Sequence, residues 1–105
     1  MRAHYPMAIA ALLIGAGVAL AEPESTDPIK LTLHDWTGQL ITTNIMAAVL
    51  EEAGYNVELV QADYLAQFSG LESGDLHVAM ELWETTAAEA MAASLATGNT
   101  VSFGP

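Results

Sequence analysis

Runs of two-residue periodicity alternate along this chain with runs stepped by three and four, and that alternation restricts the fold more than any other feature. Ile29, Leu31 and Leu33 interleave with Lys30, Thr32 and His34, which predicts a first strand leading to Trp36. Gly38 breaks the pattern. Gln39 to Ala53 then carries Ile41, Ile45, Ala48, Val49 and Glu52 at helical steps, and Gly54 supplies a stop. Asn56 to Gln61 reads as a second strand around Val57, Leu59 and Val60. Asp63 suits the N-cap of a second helix with Leu65, Phe68 and Leu71 on one face, ended by Gly74. Leu76 to Leu82 reads as a third strand closed by Trp83. Thr85 or Thr86 then caps an alanine-rich helix to about Ala96, stopped by Gly98. The order β-α-β-α-β-α with short connections predicts an α/β fold with a parallel sheet and crossover helices.

The chain has 105 residues, and its first stretch has the form of an export signal. Arg2 is a short basic n-region, Met7 to Leu20 is apolar, and Ala19-Leu20-Ala21 offers small residues around a cleavage site after Ala21. The apolar run is short for a membrane span, and Glu22, Pro23 and Glu24 follow at once. Residues 1–21 are thus expected to be a cleaved signal peptide, 22–28 a flexible leader, and 29–105 a partial lobe. With no cysteine there is neither a disulfide nor a lipid attachment point. Three strands and three helices make a small core. Ser102-Phe103-Gly104-Pro105 begins an element without completing it, which predicts a truncated lobe.

Thirteen acidic residues face only Arg2 and Lys30, for a net charge of −11. Such a chain repels nucleic acid and anionic membrane surfaces. A cationic ligand suits it better. The only two tryptophans, Trp36 and Trp83, fall at the carboxyl ends of the expected first and third strands, where parallel sheets hold their ligands. Each is flanked by polar residues, Asp35 and Thr37 in one case, Glu84 and Thr85 in the other, which argues against simple core packing. A cation over a tryptophan face gains on the order of 0.5–2 kcal/mol, and quaternary ammonium groups benefit most. Tyr64, near the strand ends, is a candidate to line the same cleft.

Other chemistry finds little support. His34 and His77, with Asp35 or Glu81, lack the spacing of a metal site, and they read as partly exposed strand histidines. Glu51 and Glu52 are adjacent on a helix and cannot converge on one substrate. Glu81 and Glu84 flank Trp83 and lie nearer the expected cleft. No nucleophile with its base, no phosphate-binding loop and no cofactor fingerprint occurs, so neither catalysis nor a cofactor is expected.

Three ordered segments carry a family resemblance: Leu33-His34-Asp35-Trp36-Thr37, Leu50 to Glu58 with its Glu-Ala-Gly-Tyr-Asn-Val core, and Ser73 to Val78 followed by Glu81-Leu82-Trp83. Together they resemble the substrate-binding proteins of glycine betaine, choline and proline ABC transporters over roughly residues 29–97. The resemblance implies one part of a two-lobed, periplasmic-binding-protein-like (type II) fold that closes over its ligand. It implies a periplasmic protein that hands a quaternary ammonium compound to the permease and ATP-binding subunits of an ABC transporter. Trp36 and Trp83 would be two walls of an aromatic box, with Asp35, Thr37, Tyr64 and Glu84 as further candidate contacts. Some choline-binding members carry an acidic residue two positions after the first tryptophan, where this chain has Gly38. The alternative is an exported α/β fragment that binds no ligand and either acts through protein contacts or has no function.

Overall fold

The computed structural model describes residues 21–104. The expected signal segment, apart from Ala21, lies outside them. The elements are β1 (Ile29–Leu33), α1 (Thr37–Glu52), β2 (Val57–Gln61), α2 (Gln67–Ser73) and α3 (Glu84–Ala96). β1 and β2 pair in parallel with Ile29 opposite Val57 and Leu33 opposite Gln61, and α1 forms the crossover. A parallel α/β lobe is therefore present, as the alternation predicts. Gly54 (φ +96°) and Gly74 (φ +82°) follow α1 and α2 in the left-handed conformation that glycine adopts without steric cost.

The expected third strand does not form as a strand. Segment 76–78 runs along the free edge of β1 and makes one isolated parallel bridge, Leu31 to Val78. His77 and Val78 donate to the Lys30 carbonyl at 2.9 and 3.2 Å, and Thr32 donates to the Val78 carbonyl at 2.9 Å. The His77 ring joins this edge through Nδ1, which accepts from the Lys30 N–H at 3.0 Å. A longer parallel ladder would next pair Met80 with the Thr32 carbonyl and the His34 N–H. A buried side chain takes both groups instead. Gln39 Nε2 donates to the Thr32 carbonyl at 2.7 Å, and the His34 N–H donates to Gln39 Oε1 at 2.8 Å. The carboxamide of Gln39 imitates the peptide that Met80 would have offered, so residues 79–83 are released from the sheet. Glu81 then turns with φ +59°. As a result neither tryptophan closes a strand: Trp36 and Trp83 are the N-cap residues of α1 and α3, each in extended conformation.

In β1, Leu31 and Thr32, which point to opposite faces, are fully enclosed, while Ile29, Lys30 and Leu33 are partly exposed. α1 shows its expected apolar stripe, but turned outward. Ile41, Ile45 and Val49 are more than half exposed, while Gln39, Thr43 and Ala47 face β1. Gln39 ties this face of the helix inward through its bonds to Thr32 of β1 and to His34 just beyond the strand. The Thr32 and Thr43 hydroxyls buried at this contact have no hydrogen-bond partner. Substituting Ile45 by Lys removes little buried surface, so urea denaturation of this chain should shift by no more than about 0.5 kcal/mol.

The remaining core gathers Phe68, Leu76 and Ala87 between α2, the 76–78 segment and α3. A Cβ on Gly70 would stand 2.8 Å from Leu76 Cδ1, so the Leu76 side chain would have to shift if residue 70 carried one. Residues 22–28, expected as a flexible leader, contain no helix or strand and touch the α1–β2 turn. There Asn56 Nδ2 donates to the Thr26 carbonyl at 2.7 Å, and the Tyr55 hydroxyl donates to Glu24 Oε2 at 3.1 Å. Glu24's own backbone N–H, followed by the Tyr55 hydroxyl, holds its carboxyl below the usual value. The same bond and charge raise Tyr55. Among the described residues no helix is long and apolar enough to cross a membrane.

Candidate ligand-binding site

Two helix entrances meet at one end of the lobe, and each carries a tryptophan. Trp36 is half-buried between β1 and α1, held in the short turn that the Gln39 bonds close. Trp83 leads into α3 and is 54 % exposed. Tyr64, in the turn before α2, joins them. Its hydroxyl accepts from the Trp83 N–H at 2.7 Å and donates to the Trp83 carbonyl at 3.2 Å, clasping that residue by its own backbone. Its ring stands edge-on to Trp36 with centroids 5.6 Å apart at 76°. Trp36, Tyr64, Trp83 and Thr86 line an open pocket of ≈ 340 Å³.

Trp36 is supported from behind. The His34 imidazole lies parallel to its indole, 4.7 Å between centroids and 7° between planes. His34 is buried, with 4 % of its surface exposed, and not the partly exposed strand histidine expected. Burial follows from its partners: Nδ1 lies 2.8 Å from the Ala62 carbonyl and Nε2 lies 3.0 Å from Gln67 Oε1. Gln67 is itself fixed by donating to the Tyr64 carbonyl at 2.6 Å. The indole edge is held as well, because Trp36 Nε1 donates to Glu81 Oε1 at 2.9 Å. The carboxylate rests against Gly38, whose imagined Cβ would come within 2.9 Å of Glu81 Oε2. Gly38 contributes no carboxylate of its own, yet a carboxylate occupies the space beside it.

The other expected contacts divide. Asp35 is exposed and lines a neighbouring polar recess with His34, Trp36, Gln61, Ala62, Asp63 and Tyr64. Thr37 and Glu84 are exposed in the first turns of α1 and α3, outside the residues that line the aromatic pocket. Thr86 joins that pocket although the sequence marked it only as a possible helix cap; its hydroxyl donates to the Trp83 carbonyl at 3.2 Å. The supporting roles of Gln39, His34 and Gln67 carry no sequence signal, and Glu81, placed near the cleft by sequence, supports Trp36 from 45 residues away. Among the described residues no group of three or more histidine, aspartate or glutamate side chains is placed to hold a metal ion.

An open pocket walled by three aromatic rings presents faces suited to holding an apolar or cationic group. Residues 27–105 match the family model described as the substrate binding domain of ABC-type glycine betaine transport systems. The chain belongs to that family. A curated relative, the "Trimethylamine N-oxide-binding protein" of Pelagibacter ubique (strain HTCC1062), is 28 % identical over 89 residues. That alignment covers 85 % of this chain and 28 % of the relative. No solved structure matches the chain significantly. Members of this substrate-binding family are binding proteins rather than enzymes. The parallel α/β lobe agrees with one part of the periplasmic-binding-protein-like fold.

Proposed function

We propose that this chain carries one lobe's share of a site for a trimethylated amine, in the substrate-binding component of an ABC transporter. The observation that carries the reading is the convergence of Trp36, Tyr64 and Trp83 on one open pocket in a strongly acidic chain. Aromatic faces attract a methylated cation through the ring quadrupole, and the methyl groups shed apolar surface into the same contact. Glycine betaine, choline and trimethylamine N-oxide share such a head. The family description and the name of the Pelagibacter relative favour that ligand class.

In this reading residues 1–21 are removed after Ala21, and residues 29–105 belong to a lobe that works in the periplasm. A second lobe closes over the open side of the pocket, excludes water and supplies the remaining walls, after which the ligand passes to the permease and its ATP-binding subunits. Asp35, Thr37 and Glu84 then act through their charge or polarity at the rim, and Trp36, Tyr64 and Trp83 make the direct contacts. Capture involves no bond making.

Tryptophan fluorescence of the two-lobed protein to which this lobe belongs, followed while it is titrated with trimethylamine N-oxide, glycine betaine and choline, tests the reading; the 105-residue chain by itself is expected to bind them weakly or not at all. A saturable change is expected, together with at least a roughly tenfold loss of affinity in Trp36→Ala, since each factor of ten corresponds to about 1.4 kcal/mol. Unchanged affinity in that variant would remove the aromatic assignment. The outward stripe of Ile41, Ile45 and Val49 favours a second reading, a chain that works through protein contacts. No response to any trimethylated amine would support it.

A further inference from the structure

We propose that Glu81 is the positioning residue of the aromatic site: its carboxylate holds the Trp36 indole in its working orientation and makes the ring a better seat for a cation. Gly38 is the residue that leaves it room.

Three independent features converge on Glu81. It is the only non-glycine residue among those described with a positive φ, +59°. That conformation costs an L-residue energy and persists only where surrounding contacts enforce it. What the strained turn achieves is the bond from Trp36 Nε1 to Glu81 Oε1 at 2.9 Å, across a sequence separation of 45 residues. An exposed rim carboxylate would gain nothing from such a backbone; Glu81 is half-buried. The third feature lies on the opposite side of the carboxylate. Position 38 is in the first turn of α1, and glycine is a poorer helix former than alanine. Yet a Cβ there would come within 2.9 and 3.0 Å of the two Glu81 oxygens. The glycine sacrifices helix propensity and the glutamate accepts backbone strain, and both serve the same contact.

The consequence for binding is electrostatic. An indole N–H that donates to an ionised carboxylate makes a charge-assisted bond, which fixes the ring plane and polarises the ring toward a more negative face. With His34 stacked on the indole and Glu81 on its nitrogen, the ring needs no reorientation when a ligand arrives. The carboxylate also adds a negative charge beside the pocket, so its effect weakens as salt rises. This part rests on the aromatic-pocket reading above; the fixing of the ring does not.

Two measurements test it on the protein and its variants E81Q, G38A, E81G and the double substitution G38A with E81G. The first is the ¹H–¹⁵N signal of the Trp36 indole without ligand, assigned through Trp36→Phe. It should be shifted downfield and protected from solvent exchange in the parent, and should lose both properties in E81G and G38A. The second is affinity for a trimethylated amine by calorimetry at low and moderate salt. E81Q should bind roughly tenfold more weakly, with a smaller salt dependence than the parent. G38A should weaken binding in the parent and add nothing in the E81G background, which accepts the positive φ without strain. An indole signal unaffected by E81G overturns the positioning role, whether or not the parent binds any ligand. If the parent binds and E81Q binds equally well, the electrostatic contribution is overturned. A G38A effect of equal size in both backgrounds overturns the Gly38–Glu81 coupling. Absence of binding by the two-lobed protein, on which the calorimetry is done, would instead refute the aromatic-pocket reading, with the indole signal still deciding the role of Glu81.

Discussion

Substituting Gln39 by Leu is expected to destabilise the fold by about 2–5 kcal/mol in urea denaturation, the largest loss among the substitutions considered. Leucine fills similar volume but leaves the Thr32 carbonyl and the His34 N–H buried without partners, and each orphaned group costs roughly 1–3 kcal/mol. Small domains are stable by only about 5–15 kcal/mol, so a loss of that size unfolds a substantial fraction of the molecules. Gln39→Glu provides a sharper comparison. Protonated at low pH, its carboxyl can still accept from the His34 N–H and donate its O–H to the Thr32 carbonyl, so it should fall between the parent and the leucine variant; once ionised it can no longer donate to Thr32 and should fall below leucine. A denaturation midpoint unchanged by Gln39→Leu would show that the amide is not what ends the sheet.

His34→Ala should produce the second large effect, and it should appear in both stability and binding. The imidazole contacts the Ala62 carbonyl, Gln67 Oε1 and the face of Trp36, and all three are lost together. The stability loss is expected at about 2–4 kcal/mol, combining unpaired buried acceptors with the loss of a stacked pair. Trp36 should become more mobile, seen as a red-shifted emission in Trp83→Phe, where it is the sole tryptophan. His34→Phe separates the two roles. It restores the stack but not the hydrogen bonds, so the emission should return toward the parent while stability stays low. Equal emission in the alanine and phenylalanine variants would mean that the stack does not order the ring.

These variants probe a part of the site that periodicity does not encode. The strand–helix alternation, the glycine stops after α1 and α2, and the parallel pairing of β1 with β2 were all legible, because each depends on local backbone preference and burial of one face. Trp36 and Trp83 do line one pocket, but not for the expected reason, since each leads into a helix instead of closing a strand. The third strand was misjudged. Leu76 to Leu82 has a strand composition, but a strand also needs a free neighbour edge, and Gln39 occupies that edge beyond Val78. The same bonds turn the Ile41–Ile45–Val49 stripe outward, against the ordinary rule that an apolar stripe marks the buried face. His34 was misread for a related reason: a histidine in a polar-looking alternation is buried because Ala62, Gln67 and Trp36, from elsewhere in the chain, surround it.

Sequence alone thus determined the class of fold and the family, each a property of residues near one another in the chain. Tertiary structure decided where the sheet ends, which face of α1 is inward, and how Trp36 is held between His34, Tyr64 and Glu81. Those outcomes depend on competition for the same backbone donors and acceptors, and on space left by a missing Cβ at Gly38. Hydrogen-bonding groups pair by distance and direction in space, so the competitor that prevails is visible only once the chain has folded.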